Sequence, residues 1–458
     1  MILRFPLYKV QTTALSRAQG RPAFAYFMEM GTGKTLTVLC EFQSLHAEGK
    51  VSTLVVVCPN SIKQVWANEA ALTGWPWRVH VWPEHRMMPT VDVGLDLVVM
   101  NYEAVITMKG GRYLTELLTS RRCMLVLDES INIKNPQARR TKILIAQAQE
   151  AGYRRILSGA PMTQGPHDLW AQLRFLGALT KTNFYAFRNY FCRMGGWQGK
   201  QIVGSQNETE LNKLVGEWAF RARKGDWLDL PKKIYTTRPY ELTPQQQKHY
   251  KELATDLMTV VGKEVVEVHM VISAMIKMQQ VCSGFLLTAA HEAISLPGGN
   301  PKLELLREIL EETTGKVLIF VMFRHTLVTL IEALGSDCTA WVHGGMKPDE
   351  LWVQVERFSR FSKCRYMVAQ IQSGKYGHTF LGGEGEDRCA TTIFYEHNYS
   401  LDDRIQAEDR NHRIGQDRPV VYIDLVGPKV EKMIVTALQR KQDVASTVID
   451  GLRHGERI

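Results

Sequence analysis

A chain of 458 residues is too long for one compact core, and its composition, 45% hydrophobic and 22% charged, excludes disordered and fibrous classes. Length alone suggests about two or three globular domains, with two the simplest reading. A net charge of +9 and a pI near 9.0 favour a polyanionic partner, either nucleic acid or an anionic membrane surface. The eight cysteines are scattered singly, with no C-x-x-C pair or Cys/His cluster at zinc spacing, and read as reduced, packed thiols of a cytosolic protein. The longest apolar runs are of strand length, so neither a signal peptide nor a membrane span is expected.

In chain order, the first candidate is Gln11, about one helix and a strand before a glycine turn. Its amide offers a donor and an acceptor suited to an adenine edge, with Tyr8 or Arg4 available to stack; on its own it is equally an ordinary surface glutamine. The apolar run Ala23–Met28 predicts a strand, MEMGTGKT (Met28–Thr35) a glycine turn, and Leu36–Ser44 a helix. A strand that passes through such a turn into a helix leaves backbone N–H groups unpaired at the positive end of the helix dipole, which makes a phosphate cradle of Met30, Gly31, Thr32, Gly33, Lys34 and Thr35. Lys34 is placed to reach the β and γ phosphates and the Thr35 hydroxyl to hold a magnesium ion. Met28 stands where the usual GxxxxGK[ST] pattern has glycine, and an ordinary glycine turn is the alternative.

Thr53–Cys58 (TLVVVC) is a β-branched run of the kind buried on both faces of a parallel sheet. Asn60 and Ser61 follow it at the start of a helical pattern, an anion site suited to a polynucleotide backbone, and Trp66 reads as core. Leu95–Met100 leads to Asn101 and Tyr102, and Cys123–Leu127 leads to Asp128, Glu129 and Ser130. Two acids directly after a buried strand are costly unless a metal–phosphate partner offsets their burial. Asp128 is expected to bind magnesium through water and Glu129 to polarise the attacking water, with a capped helix start as the alternative. A further strand, Arg155–Ser158, ends in the Gly159–Thr163 turn, whose hydroxyls could couple the nucleotide end of the sheet to a nucleic-acid face. Together these predict an open parallel α/β sheet with ligands at its carboxyl edge.

Leu169–Tyr250 is rich in aromatics at helical spacing and carries a basic cluster, Arg221, Arg223 and Lys224; Asp229–Lys233 breaks the pattern as a crossover. The second half repeats the strand rhythm at Val317–Val321, Cys338–Val342, Arg365–Ala369, Thr391–Tyr395 and Val420–Leu425, giving a second parallel α/β unit with no phosphate loop. Its chemistry is concentrated in Gln406–Gln416, where Arg410 and Arg413, three apart on an expected helix, share one face. Such a pair could act as arginine fingers, contributing roughly 10³ to 10⁵ in phosphoryl-transfer rate. Alternatively the segment is a solvated charged face with Glu408 and Asp409 as local partners.

This order of motifs resembles the ATPase motor of the Swi/Snf-type chromatin-remodelling and DNA-translocase family of helicase superfamily 2. The likeness runs through MEMGTGKT, CPNSIKQVWANE, LDESINIKN, LSGAPMTQGPHDLW, RARKGDWLDLP, VLIFVMF and QAEDRNHRIGQ to a closing helix at Glu431–Lys441, and the DES-x-x-IKN and QAEDR-x-HRIGQ boxes carry most of its specificity. The resemblance implies two RecA-like α/β lobes with parallel sheets and short helical protrusions, residues 1–231 and 232–458, the second with a helical linker and a C-terminal brace helix. It implies ATP and Mg²⁺ as substrate and cofactor and nucleotide contacts from Gln11, Gly31 to Thr35, Asp128, Glu129, Arg410 and Arg413. DNA-backbone contacts are implied near Asn60 and Ser61, Asn101 and Tyr102, Lys134 and Asn135, His343 and Gly344, and Gln372, Ser373 and Gly374. The implied activity is DNA-stimulated ATP hydrolysis in an inter-lobe cleft driving translocation on double-stranded DNA, with a strand-separating DNA/RNA helicase or a weakly hydrolysing DNA-binding module as alternatives.

The chain departs from the family in three places. Ile131 stands where the family often has His, so a polar link from the ATP site to Ser158–Pro161 is expected to be missing. An irregular acidic turn, Gly382–Asp387, follows the DNA-contacting loop. No reader segment is expected to flank the motor, which looks like the stand-alone bacterial, phage or prophage members; a cytoplasmic monomer with no membrane partner is expected.

Overall fold

In the computed structural model, the described residues are 6–83, 95–195, 201–261, 268–288, 290, 292–372 and 379–439, with backbone alone for 256–261, 268–272 and 348. They divide into two units, the first running to Asp229 and the second beginning at Leu230.

Among the described residues the first unit holds a seven-stranded sheet and a hairpin. The sheet strands are β1 (Ala23–Met28), β2 (Thr53–Cys58), β3 (Trp77–Val81), β4 (Leu95–Asn101), β5 (Cys123–Asp128), β6 (Tyr153–Leu157) and β9 (Ala219–Ala222), and the antiparallel hairpin is β7 (Cys192–Gly195) with β8 (Gln201–Ser205). Their order is β3-β4-β2-β5-β6-β1-β9, with every neighbouring pair parallel. Parallel strands need crossovers, and the helices that make them cover both faces, so the central strands are buried throughout. Alternation sorts the side chains. Ala25, Phe27, Val55, Val57, Leu125 and Leu127 pack on one face against helices Met108–Ser120 and Leu169–Leu176. Tyr26, Met28, Leu54, Val56, Met124 and Val126 pack on the other, where helices Lys9–Ala18, Lys34–Ala47 and Lys63–Leu72 bring Val10, Val38 and Trp66. Burying each large apolar side chain contributes about 1.5–3 kcal/mol.

A charged group also enters this core. Arg155, fully buried on β6, donates to Glu41 on the helix that follows the phosphate loop, and Tyr26 Oη donates to the same carboxylate at 2.8 Å. Paired in this way, the buried charges fix that helix against the sheet. Removal of one partner would leave the other uncompensated at a cost of about 3–5 kcal/mol.

The second unit's sheet comprises β10 (Lys233–Pro239), β13 (Val317–Val321), β14 (Thr339–Val342), β15 (Tyr366–Gln370), β16 (Thr391–Phe394) and β17 (Val420–Val426) in the order β10-β17-β16-β13-β15-β14, all parallel; β11 (Phe285–Leu287) and β12 (Ala293–Ser295) form a separate antiparallel pair. Leu306, Ile309 and Leu310 of helix Pro301–Glu312 pack on Val317, Ile319 and Val321. Asn300 caps that helix through Leu303 N at 3.2 Å, with Pro301 at its first position.

The α/β class with two parallel-sheet units matches the expectation, while three edge strands and part of the insertion were not anticipated. β3 carries Arg78 and His80, and Arg78 pairs with its register partner Asp96 at 2.8 Å. Edge strands that are half-buried, as β3 and β9 are, or mostly exposed, as β10 is, need no continuous apolar run, so all three lack the signal that marks the central strands. The aromatic-rich stretch contains the expected helices, Phe184–Phe191 and Glu208–Trp218, but the β7–β8 hairpin lies between them. Residues 429–439 are helical; the rest of the expected brace helix lies outside the described residues.

Candidate active site

The phosphate loop leaves β1 at Met28. Gly31 (φ 83°) and Gly33 (φ 84°) both take left-handed conformations, and Gly33 opens helix Lys34–Ala47. A Cβ on Gly33 would lie 2.2 Å from Gln11 Nε2, so a side chain here would displace the Gln11 amide from the loop, and the left-handed backbone angle would strain it as well. Thr32 is buried and bonds back to Glu29 O at 2.7 Å, and Lys34 Nζ donates to Met28 O at 2.8 Å. Gln11 is buried as well. Its Oε1 accepts from Tyr8 N at 2.8 Å and its Nε2 donates to Gly33 O at 3.2 Å, which ties the first helix to the loop. Tyr8 is half exposed, and Arg4 lies outside the described residues.

The acidic pair ends β5, two strands from β1 in the same sheet. Asp128 is buried, with Oδ2 accepting from Trp66 Nε1 at 2.8 Å and Oδ1 from Glu129 N at 2.9 Å. Tyr102 Oη donates to the Asp128 carbonyl at 2.9 Å. Burial pushes the Asp128 carboxyl upward, opposed by the Lys34 ammonium and the Trp66 indole N–H. A buried carboxylate close enough to Lys34 to feel its charge, beside a glycine turn that presents backbone amides, fits a hydrated dication bridged to phosphates. Glu129 itself takes φ 50°, a left-handed conformation rare for a residue with a Cβ, and its carbonyl accepts from Asn132 Nδ2 at 2.8 Å.

Three expectations need correction. Tyr102 is 1% exposed with its hydroxyl bonded to Asp128 O, so its side chain has no surface to offer DNA and instead supports the acidic loop. A polar link from the acidic loop to the turn after β6 is present despite Ile131: Ser130 Oγ donates to Gln172 Oε1 at 2.7 Å, and Gln172 Nε2 donates to Pro161 O at 2.8 Å. Arg410 and Arg413 do not share a helix face. The helix ends at Glu408, and the chain beyond it is irregular because Asn411 Nδ2 donates to Thr392 Oγ1 (2.7 Å) and Gln416 Nε2 to Cys389 O (3.0 Å). Arg410 is buried and Arg413 half-buried, both in the second unit. Glu408 is engaged by Lys233 (2.9 Å), Arg404 (2.8 Å) and Tyr235 (2.7 Å).

The remaining DNA candidates are dispersed. Asn60 and Ser61 begin a short 3₁₀ turn at the carboxyl end of β2. Asn101, at the end of β4, bonds Glu103 at 2.8 Å. Lys134 Nζ donates to Thr163 Oγ1 at 3.0 Å, and Asn135 Oδ1 accepts from Gln137 N at 2.9 Å. In the second unit His343 and Gly344 follow β14, where Gln370 bridges Gly344 N (3.1 Å) and Met322 O (3.2 Å); Gln372 is exposed, while Ser373 and Gly374 lie outside the described residues. Sequence reasoning missed Trp66, Gln172 and Gln370 as supports, since an amide or indole inside a helical or strand pattern gives no local sign of its long-range partner.

His167, Asp168 and Cys192 form another cluster, but the Cys192 thiol is buried and raised by that burial, and Asp168 Oδ2 accepts from Thr163 N and Gln164 N at 2.8 Å each. It therefore reads as a structural corner and not as a nucleophile. Among the described residues no group of three or more His, Cys, Asp and Glu is placed to hold a metal, and no helix is long and apolar enough to cross a membrane.

The SNF2-related domain family matches residues 25–285, and the helicase conserved C-terminal domain matches residues 301–415. The mouse protein "DNA annealing helicase and endonuclease ZRANB3" is 25% identical over 441 residues, covering 92% of this chain and 39% of the relative. A Caenorhabditis elegans protein, "SWI/SNF-related matrix-associated actin-dependent regulator of chromatin subfamily A-like protein 1 homolog", is 25% identical over 442 residues, covering 92% of this chain and 58% of that one. This chain thus spans well under two thirds of either relative. Among solved structures, "Sulfolobus solfataricus SWI2/SNF2 ATPase core in complex with dsDNA" is similar at 23% identity with a TM-score of 0.43, covering 98% of this chain and 93% of that one. With more than half of its length matched by the first of these families, and its acidic box and phosphate loop inside that match, the chain belongs to the SNF2-related family of helicase-type ATPases.

Proposed function

We propose that the protein is an ATP-dependent translocase on double-stranded DNA that remodels protein–DNA complexes or branched DNA. The observation that carries this reading is the convergence, at the carboxyl edge of one parallel sheet, of the left-handed glycine turn at Gly31–Gly33 with the buried Asp128 and the adjoining Glu129. Lys34 and the backbone amides of Gly31 to Thr35 hold the nucleotide phosphates, with Gln11 and Tyr8 toward the base. Thr35 and Asp128 are the residues that would hold magnesium, whose chemistry when bound is to neutralise charge on the phosphates. Glu129 orients and deprotonates the attacking water. Arg410 and Arg413 are assigned to the charge that develops on the transferred phosphoryl group.

Double-stranded DNA is the proposed partner, supported by the family, the net charge of +9 and the DNA-annealing helicase activity in the name of the ZRANB3 relative. Asn60, Ser61, Asn101, Lys134, Asn135, His343, Gly344 and Gln372 to Gly374 are proposed as its backbone contacts. The nuclease activity in the name of the ZRANB3 relative is not carried over. The test is the ATPase rate with no nucleic acid, single strands, duplex, branched DNA and RNA. Stimulation by duplex or branched DNA is expected; stimulation confined to single strands or RNA would replace the reading with a strand-separating helicase.

A further inference from the structure

Gln172 lies on helix Leu169–Leu176 and is wholly buried. Both ends of its amide are engaged: Oε1 accepts from Ser130 Oγ at 2.7 Å, while Nε2 donates to Pro161 O at 2.8 Å and Asp168 O at 2.9 Å. Ser130, also fully buried, directly follows Glu129. Pro161 belongs to the turn after β6, and this turn touches the phosphate loop at its other end: a Cβ added to Gly159 would lie 3.3 Å from Met30 N and 3.7 Å from Met28 O. A second tie joins the acidic loop to this turn, since Lys134 Nζ donates to Thr163 Oγ1 at 3.0 Å. Asp168 Oδ2 closes the turn by accepting from Thr163 N and Gln164 N.

We propose that Gln172 is a positioning residue that transmits the state of the nucleotide site, through Ser130, to the turn at residues 159–164. The proposal rests on the reading of Gly31 to Thr35 with Asp128 and Glu129 as the nucleotide site. Its moving part is the backbone at Glu129. A left-handed conformation on a residue with a Cβ is strained, so a nearby relaxed conformation is accessible when the charge balance around Asp128 changes. Displacement of Ser130 cannot be absorbed by breaking its bond to Gln172, because an unsatisfied group at so buried a site is costly. The amide must follow, and its other end draws on Pro161. Lys134 on Thr163 carries the same displacement in parallel, which makes the turn respond as a unit.

Proximity of this kind becomes coupling only when an equilibrium is seen to move. Amide hydrogen exchange is therefore measured on the full chain with and without magnesium and the non-hydrolysable analogue adenosine 5′-(β,γ-imido)triphosphate, for wild type, Gln172→Leu, Ser130→Ala and the double variant. In wild type the analogue should slow exchange in the phosphate loop and change it about tenfold across 159–168. In each variant the phosphate loop should still be protected while most of the 159–168 response is lost, the remainder passing through Lys134 and Thr163, and the double variant should lose no more than either single one. A wild-type response confined to the phosphate loop, or an intact 159–168 response in both single variants, would overturn the proposal. If the phosphate loop itself were unprotected in wild type, the nucleotide-site reading would fail and the relay with it. Should Gln172→Leu fold poorly, Ser130→Ala removes one hydroxyl only and decides the question. As a second readout, duplex-stimulated kcat should fall about tenfold in Ser130→Ala with KM for ATP within about twofold of wild type, the rate being taken per nucleotide-binding site counted by titration so that loss of folded protein does not register as a lower kcat.

Discussion

The indole N–H of Trp66 donates to Asp128 Oδ2 at 2.8 Å from a side chain that is itself fully buried. A core tryptophan thereby joins Lys34 in favouring the charged form of the carboxylate assigned to magnesium, against the burial that raises it. Trp66→Phe keeps most of the packing and removes that donor, worth about 1.5–3 kcal/mol to a charged acceptor. The Asp128 carboxyl should rise further, and the acid limb of kcat/KM against pH should move up at fixed magnesium. An acid limb that stays in place in a folded Trp66→Phe protein would show that the indole serves packing alone.

Lys34 and Glu129 are assigned different tasks, so their substitutions should separate. Glu129→Gln should bind ATP with near-native affinity and lose turnover by at least about a hundredfold, while Lys34→Ala should lose both. Equilibrium binding of a fluorescent ATP analogue beside steady-state hydrolysis checks the split. Wild-type turnover in Glu129→Gln would remove the general-base assignment.

Arg413→Ala should abolish most duplex-stimulated hydrolysis, about a thousandfold for a finger acting on transition-state charge. Its duplex affinity without nucleotide should stay close to wild type, as read by fluorescence anisotropy. The reverse pattern, weakened binding with intact hydrolysis, would assign Arg413 to the nucleic-acid surface.

Affinity for duplex should fall steeply with salt, each neutralised phosphate adding about 0.9 to the log–log slope, and should depend little on sequence. A titration of two unrelated duplexes at several salt concentrations checks both points. Tight, salt-resistant binding to one sequence would indicate base reading instead.

Acid should loosen the second unit in two stages. Burial lowers the His397 imidazole below its usual 6.5, so the unfolded chain takes up this proton first and stability begins to fall as pH drops below 6.5. Burial alone would raise Glu408, yet Lys233 and Arg404 hold it at about 2 against an ordinary 4.5. Its contribution is complete above 4.5 and is lost as pH falls toward 2. Hydrogen exchange of second-unit amides across this range should show both stages, and Glu408→Gln should flatten the lower one. An unchanged lower stage would place the acid sensitivity on other carboxylates.

The features most legible in the sequence are those that depend on a local run. The β-branched strands, the glycine turn and the acids at a strand end each declare themselves within about ten residues. Supports with distant partners do not: Trp66 looked like core and was core, but its bond to Asp128 lies 62 residues away, and Gln172 reaches Ser130 across 42. The Gln406–Gln416 segment misled in the other direction. Its charged residues keep a helical rhythm past Glu408, where the amides of Asn411 and Gln416 favour partners on β16 and the Cys389 carbonyl over another helical turn.

The second unit opens with β10, and the partner of β10 is the last strand of the sheet, with Lys233 opposite Val420 and Pro239 opposite Val426. During synthesis the two units therefore mature on different schedules. β9 can dock on β1 as soon as it leaves the ribosome, since every strand of its sheet has already been made. β10 emerges next and must wait, solvated, until Val420–Val426 has followed. Its lysine, arginine and two threonines suit that interval, because a bare strand with this composition resists pairing with a neighbouring nascent chain. A ribosome stalled before Val420 should accordingly hold a protease-resistant first unit and a second unit still open to cleavage.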